Sequence, residues 1–424
     1  MIAQQLIIDQ AGADTGSSST DRPLLRVCHL AKYYAPAPGG IETHVRTLAQ
    51  AQASLGAEVQ VLCVNHVALK GRRGRSLSRA TTNTAKDWDG NVRVTRLGRR
   101  ASVSRWDLCP GIRRELCNLI DRVDVLHLHV PNITMLLPLT TVESTASLVI
   151  TYHSDIVRQH LLYKGFRPFE DAVFRRASRI LATSRAYIAG SATLKRHIKK
   201  VEVLPFAIDL APFQRPTSDA LAFARRLSLE HGTPLWLAVG RLVYYKGLDI
   251  AIEALAKVPG KLLLVGSGPL DKRLHDQAKR LGVIDRIIWR ARLSDEELVG
   301  AYHAATALWF PSNARSEAFG LVQVEAMASG CPVINTNIAG SGVAWVSPHN
   351  ETGLTIPVND PDALANAACQ LWQDGELRQR LAKSGQERAT SRFGHALMAR
   401  HSLDMYRHTI RHVPRKTVPS RPAA

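Results

Sequence analysis

The chain has 424 residues, 45% of them hydrophobic, with 55 Lys and Arg against 36 Asp and Glu for a formal net charge of +19. That length and apolar content suffice for a large core divided between two domains, and they exclude a small disulfide scaffold and a disordered tail protein. No run is apolar enough to span a bilayer, because the best candidates, Val125 to Leu139 and Val201 to Phe213, are broken by His, Pro or Asp.

The opening MIAQQLIIDQ has no basic leader and too short an apolar patch for a signal peptide, and it runs into the polar AGADTGSSSTDR. Residues 1–23 are expected to be disordered. From there short apolar runs alternate with longer amphipathic ones. LLRVCHLAKYY reads as a strand, IETHVRTLAQAQASLG as a helix closed by Gly56, and AEVQVLCVN, VDVLHLHV and SLVITYH as further strands. Strand, helix and strand in repetition predict an α/β domain, a parallel sheet covered by helices, over residues 24–205. At VEVLPFAIDLAPFQRPTSD the rhythm breaks, and a second series opens with LWLAVG, LDIAIEALAKV, KLLLVGSG and ALWFPS. A second such domain is expected over residues 206–395. QRLAKSGQERATSRFGHALMARHSLDMYRHTI then reads as a long helix, with residues 396–424 returning toward the first domain and ending in a basic tail. Ligands are expected between the two domains, facing the carboxyl ends of their strands.

The charge is uneven, with 29 basic and 16 acidic side chains in residues 1–205 and 26 and 20 in residues 206–424. Clusters at Lys70 to Arg79, Arg93 to Arg105 and Arg158 to Lys200, and a tail at Arg411 to Arg421, point to an anionic partner. No helix-turn-helix, RNP-type aromatic strand or zinc spacing accompanies them, so nucleic acid is not expected. An anionic membrane surface is, at roughly 1 kcal/mol for each basic side chain close to it. A merely soluble basic protein is the plain alternative. Six cysteines, Cys28, Cys63, Cys109, Cys117, Cys331 and Cys369, form no CxxC pair; they suit buried thiols in the reducing cytosol.

The segment SNARSEAFGLVQVEAMASGCPVIN, residues 312–335, is the most specific. Glu317 falls in the loop after ALWFPS and Glu325 in the helix that Phe319-Gly320 opens. A glycosidase pair would stand about 5 Å apart, or up to roughly 9.5 Å for inversion, whereas eight helical residues span roughly 12 Å. The spacing therefore suits one carboxylate for each end of an elongated ligand. A carboxylate only accepts, which matches the O–H donors of vicinal hydroxyls on a sugar or ribose, and the helix start between the two offers free N–H groups. Two solvated helix charges are the plain alternative.

In VGRLVYYKGLDIAIEAL, Arg241 and Lys246 flank a turn at the carboxyl end of a strand, beside a positive helix terminus, where a phosphate or diphosphate would be held. LLLVGSGPLD adds a turn with Gly266 and Gly268, on its own only a tight turn. In YYAPAPGGIETHV, Gly39-Gly40 directly before a helix lets backbone N–H groups approach an anion, with Glu42 and His44 in the first turn; an ordinary loop fits equally. His127 and His129 alternate on a strand and share one face, as compatible with a core role as with a functional one. His153, followed by Asp155, sits where a strand runs out into a basic loop, the usual place of a reacting group. No His, Asp or Cys set has the spacing of a closed metal site. Asp87-Trp88-Asp89 has the form of a metal-binding carboxylate pair but lies between weak strands, so no metal is expected.

Taken in order, GGIE, HLHVPN, TYHSD, GRLVYYKG, GSGPL and SEAFGLVQVEAMASGCPV resemble the retaining glycosyltransferases of family four, also called glycosyltransferases group 1, from about Leu24 to about Arg411. The resemblance implies a GT-B fold, two Rossmann-like doubly wound parallel-sheet domains with a cleft between them, and transfer of a hexose from a nucleotide sugar without a metal or other cofactor. It implies that Glu317 contacts the donor sugar together with the N–H groups of Ala318, Phe319 and Gly320, and that Glu325 holds the ribose hydroxyls. Arg241 and Lys246 would neutralise the diphosphate in place of a metal, and Gly40, beside Gly39, would let the first domain close onto the phosphates. Gly266, Gly268 and Leu293 would complete the donor site, His153 would stand beside the transferred sugar, and His129 and Asp155 are acceptor-side candidates. The implied reaction retains configuration by front-face attack, a donor phosphate oxygen taking the acceptor proton while cations stabilise the leaving diphosphate.

Two departures refine the expectation. The turn Arg290-Ala291-Arg292-Leu293 lacks the glycine common in the family where the turn meets the base, and IAGSGVAWVSPHNETGLT stands where many members carry GG-x-PE. With LPFAID at 204–209, this variant looks like mannosyltransferases building lipid-linked exopolysaccharide or O-antigen units. GDP-mannose is the expected donor and a polyprenyl-diphosphate-linked oligosaccharide the expected acceptor, at the cytoplasmic face of the plasma membrane. The alternatives are a UDP-sugar-dependent relative with another acceptor, or a basic membrane-surface protein without catalysis.

Overall fold

The computed structural model describes residues 24–66, 68–69, 77–78, 83–103, 106–155, 160–232 and 234–410. The lead-in at residues 1–23, the charged residues of the Lys70 to Arg79 cluster and the tail at Arg411 to Arg421 lie outside the described residues.

Two sheets carry the chain. The first contains β1 (Arg26–Leu30), β2 (Glu58–Val64), β3 (Ala85–Asp89), β4 (Val92–Leu97), β5 (Val125–Val130), β6 (Ser147–Tyr152), β7 (Arg179–Ala182) and β8 (Val201–Val203), in the order β8-β7-β6-β5-β1-β2-β4-β3. Its pairs are parallel except for the edge hairpin β3–β4. The second contains β9 (Leu235–Val239), β10 (Lys261–Val265), β11 (Ile287–Arg290), β12 (Ala307–Phe310), β13 (Val333–Thr336) and β14 (Gly353–Ile356), all parallel, in the order β11-β10-β9-β12-β13-β14. Helices cover both faces of such sheets, which is why VLHLHV in β5 and ALWF in β12 are buried at every position. Strand order reverses between β1 and β5 and again between β9 and β12, and at a reversal the following loops diverge and open a crevice at the strands' carboxyl ends.

The chain crosses between the domains twice, side by side. Ile208 donates its N–H to the Phe393 carbonyl at 3.0 Å and accepts from the His395 N–H at 2.9 Å. This crossing corrects the expected long helix: there are two, Gly375–Arg392 and His395–Thr409. The break follows from the pairing with Ile208, which takes a carbonyl and an N–H out of helical register, and from the buried Phe393 ring, which packs edge-on against Phe319 and Trp345. The last helix then docks on the first domain, burying Met398, Leu403 and Tyr406 against Leu25, Val27, Leu48 and Val125.

Two charge and thiol expectations are also corrected. Arg96 and Arg99, read as part of an outward basic cluster, turn inward: Arg99 meets Asp107 at 3.1 Å and Arg96 meets Asp87 at 3.2 Å and the Ala35 carbonyl at 2.7 Å. Cys28, Cys63, Cys109 and Cys331 are buried, but Cys117 is exposed because its helix, Ile112–Ile120, buries Ile112 and Leu116 instead. Among the described residues no helix is long and apolar enough to cross a membrane.

Truncating Leu403 tests how firmly the returning helix is held. Leu403→Ala is expected to cost about 2–5 kcal/mol, read as a lowered denaturant midpoint, since the cavity would open inside the packed seam.

Candidate active site

The segments singled out in the sequence leave the carboxyl ends of strands that face one another across the interdomain crevice. After β9, Gly240 leads into Arg241, a single 3₁₀ turn at Tyr244–Lys246 and Gly247. Gly247 is left-handed (φ 61°) and a Cβ there would lie 2.0 Å from the Pro311 carbonyl oxygen, so only glycine lets this turn press against the loop after β12. The contact delivers Lys246 to Glu317: Nζ and Oε2 are 2.5 Å apart, both side chains mostly buried, with the ammonium 4.9 Å over the Phe310 ring. The Ser312 hydroxyl also reaches Glu317, at 3.4 Å. Arg241 stays exposed, donating to the Tyr245 hydroxyl at 3.0 Å.

The glycine turn after β10 is stacked on this one. The Leu242 N–H donates to the Ser267 carbonyl at 3.0 Å and the Leu270 N–H to the Leu242 carbonyl at 3.1 Å, while a Cβ on Gly268 would sit 2.5 Å from the Leu242 oxygen. Leu293 is buried in the second domain's core, and Ser294 beside it caps the helix Asp295–Ala304 with a capping box. Ala318 packs into the core of the first domain, Phe319 into that of the second, and Gly320 (φ 80°) opens the helix Leu321–Ala328. Glu325, on that helix, accepts from the Tyr302 hydroxyl at 2.7 Å; burial raises its pKa, against the opposing pull of that hydrogen bond. The two carboxylates have different partners in the protein: Glu317 is gripped by Lys246 and Glu325 by Tyr302.

From the first domain, Gly39 and Gly40 precede the helix Gly40–Ser54, and Glu42 folds back so far that a Cβ on Gly39 would touch its carboxylate at 2.2 Å. Burial raises the Glu42 pKa, against the opposing pull of a backbone hydrogen bond and of the charges of Arg241 and Lys32. Asp155 is engaged by other side chains of the protein. It accepts from the Tyr152 hydroxyl at 2.7 Å and the Ser191 hydroxyl at 2.8 Å, and pairs with Arg315 at 2.6 Å. Asp87 and Asp89 are likewise occupied: Arg46 forks onto Asp89 at 2.8 and 2.9 Å, and Arg96 takes Asp87.

Sequence reasoning missed Arg315. It stands two residues before Glu317, pairs with Asp155 of the first domain, donates to the Gly340 and Tyr187 carbonyls, and lies 4.5 Å over the Tyr187 ring. The available signal was a lone cation inside the most specific motif. The unusual IAGSG stretch lies beside it, where Gly340 (φ 69°) comes within touching distance of Gly190, so a Cβ on Gly190 would lie 2.8 Å from the Gly340 Cα.

The histidines form one cluster, which the sequence did not reveal. Parallel register aligns His29 of β1 with His127 of β5, and His129 with Thr151 of β6. His29, His44, His127, His129 and His153 are all buried. His129 contacts His29 at 3.0 Å and His153 at 3.1 Å, and His29 contacts Gln52 at 2.8 Å. Two triads, His29/His127/His129 and His44/His129/His153, bring ring nitrogens within 4.8 Å of one another. Most of these nitrogens are spent on hydrogen bonds, and neither triad includes a carboxylate to balance a cation. Burial holds His29 down to about 4 and His153 to about 3, and keeps His44, His127 and His129 well below the ordinary value.

Comparison with known proteins agrees with this geometry. The chain matches the family described as Glycosyl transferases group 1 over residues 222–388 and the Glycosyl transferase 4-like domain over residues 39–207. It is 30% identical to D-rhamnosyltransferase WbpZ of Pseudomonas aeruginosa, over 86% of this chain and 91% of that protein. It is 28% identical to O-antigen chain mannosyltransferase C of Escherichia coli, over 90% of this chain and 97% of that one. Among solved structures, Anabaena HepE in complex with UDP and glucose aligns with a TM-score of 0.72 at 19% identity, covering 91% of this chain and 100% of that one. Sucrose-phosphate synthase from Thermosynechococcus elongatus gives 0.71 at 24%, covering 91% and 98%. At these identities the structural likeness shows the fold, which is GT-B.

The depressed histidines set the acid stability. Below about pH 6.5 the unfolded chain takes up protons that the folded chain refuses, so the stability these rings contribute is complete above that pH and is lost as pH falls toward 4. Each ring removes about 1.4 kcal/mol per pH unit in that window. A steep drop in melting temperature between pH 6.5 and 5 is expected by calorimetry; an unchanged melting temperature over that range would mean the rings are hydrated in the native state.

Proposed function

The chain belongs to the group 1 glycosyltransferases, and from that premise we propose that it moves a sugar of manno configuration, mannose from GDP-mannose, to a lipid-linked oligosaccharide with retention of configuration. The observation that carries the reading is the contact of Lys246 with Glu317, made where the turn after β9, which also carries Arg241, meets the loop after β12, with Glu325 on the helix that follows that loop. The two relatives described above support the sugar, because D-rhamnose is 6-deoxy-D-mannose and the other is named a mannosyltransferase. The second relative's name also favours work on an O-antigen-type polysaccharide.

In this reading the diphosphate lies between Arg241 and Lys246, so that the charge growing on it is met by cations already held in place. Lys246 turns from Glu317 toward the phosphates, and the carboxylate is released to accept from sugar hydroxyls. Glu325 accepts from the ribose hydroxyls at the far end. The acceptor hydroxyl attacks the anomeric carbon on the face the diphosphate leaves; the C1–O bond to the phosphate breaks, the bond to the acceptor oxygen forms, and the acceptor proton passes to a phosphate oxygen. His153, buried and neutral, stands beside the sugar. No metal or other cofactor is invoked for this reaction.

A panel of nucleotide sugars incubated with membrane extract, followed by mass spectrometry and NMR of the new linkage, tests the reading. GDP-mannose is expected to support transfer with an α product, and exclusive use of a UDP-sugar would overturn the donor. Lys246→Ala is expected to lower kcat on the order of 10²–10³-fold, the usual cost of a lost group that stabilises transition-state charge. Peripheral attachment to an anionic membrane through the basic first domain belongs to the same proposal; binding to vesicles containing anionic lipid is expected to weaken as salt rises from 0.05 to about 0.5 M, by screening. Salt-insensitive binding would point to apolar insertion instead.

A further inference from the structure

The buried histidine cluster runs unbroken from the returning C-terminal helix to His153, and the hydrogen-bonding capacity of its members leaves one consistent arrangement of protons. The Ser402 hydroxyl lies 2.7 Å from the Ala399 carbonyl, which can only accept, so its single proton is spent there. The same oxygen lies 2.7 Å from the Gln52 amide, which must therefore present its NH₂ group to Ser402. The second amide proton goes to the Tyr406 hydroxyl at 3.1 Å, whose own proton goes to His127 Nδ1 at 2.6 Å, leaving His127 Nε2–H to donate to the Thr151 hydroxyl at 2.6 Å.

With its NH₂ so occupied, Gln52 turns its carbonyl oxygen to His29. His29 then carries its proton on Nε2, donating to Gln52 Oε1 at 2.8 Å, and its bare Nδ1 accepts from His129 Nε2–H at 3.0 Å. His129 Nδ1 is bare in turn and accepts from His153 Nε2–H at 3.1 Å. Each ring is neutral and each tautomer is set by the ring before it. The relay ends at His153 Nδ1, a buried nitrogen without a hydrogen-bond partner among the described residues.

We propose that Gln52, oriented by Ser402 of the returning helix, fixes His153 through His29 and His129 as the Nε2–H tautomer, so that the one position His153 keeps for a substrate, the enclosed Nδ1, is a hydrogen-bond acceptor and not a donor. Gln52, His29 and His129 are positioning residues; only His153 would touch the sugar. The relay gives a reason for the chain to cross back over the linker: a residue near position 400 sets the proton on one at position 153. It also gives a selection rule, since an acceptor nitrogen favours a sugar that offers a hydroxyl there over one that presents an acceptor alone. The substrate half rests on the placement of His153 beside the donor sugar.

The test is ¹⁵N NMR of histidine-labelled full-length protein near pH 7, with the His153 resonances assigned by loss in His153→Gln. The expected result is a protonated Nε2 and an unprotonated Nδ1 in the free enzyme; a protonated Nδ1 overturns the relay whatever any variant does. Gln52→Met, of similar length but without the acceptor, is expected to leave His153 as a mixture of tautomers and to lower kcat/KM for the nucleotide sugar about tenfold, the worth of one hydrogen bond of about 1.4 kcal/mol. Ser402→Ala, a smaller change, is expected to shift the tautomers in the same direction and guards against misfolding of the first variant. A scrambled tautomer with unchanged transfer would confirm the relay while removing His153 from the sugar, so the two failures are told apart. One equivalent of bound zinc that disappears in His44→Ala would also overturn the proposal, because His129 Nδ1 and His153 Nε2 cannot both hold a metal and share a proton.

Discussion

The crevice depends on holding two sets of strand ends face to face, and the pairing of Arg315 with Asp155 is a direct link between them. The pair is charge-assisted and only about a quarter exposed on each side, a setting in which such contacts hold geometry as well as contribute energy. Arg315 is rooted in the loop that carries Glu317, and Asp155 stands two residues after His153. One ion pair therefore references the Glu317 loop of one domain to the strand end of the other. Gly190 and Gly340 let the backbones close to contact beside it, and any side chain there would wedge the domains apart.

The same economy governs the buried polar groups. Parallel sheets bury both faces of their central strands, so a polar side chain placed there must find partners within the protein or lose several kcal/mol. The first domain places histidines on two adjacent strands and just past the end of a third, and satisfies most of them with one another, with Gln52 and with Tyr406. The exceptions are His44, packed against the rings of His129, His153 and Phe206, and the Nδ1 of His153. Unsatisfied nitrogens inside an otherwise complete network are where function and stability part company.

In the second domain, glycines make the site by omission. Gly247 and Gly268 bring three successive strand-end loops into van der Waals contact, and Lys246 reaches Glu317 only because nothing projects from Gly247 into Pro311.

The sequence by itself determined the α/β rhythm, because strand periodicity, glycine turns and helix openings are set by neighbouring residues along the chain, and its ordered motifs carried the resemblance that implied the GT-B class. It also set Glu317 and Glu325 apart, since eight residues with a helix start between them separate two carboxylates. Only the tertiary structure decided that Lys246 grips Glu317, that Asp155 pairs with Arg315, that Arg96 and Arg99 face inward, and that the last helix is broken at Phe393-Gly394. Each of those outcomes joins residues tens to hundreds of positions apart. A charge or a ring carries no local mark of which distant partner will share its burial, so such pairings exist only once the sheets are registered and the domains closed.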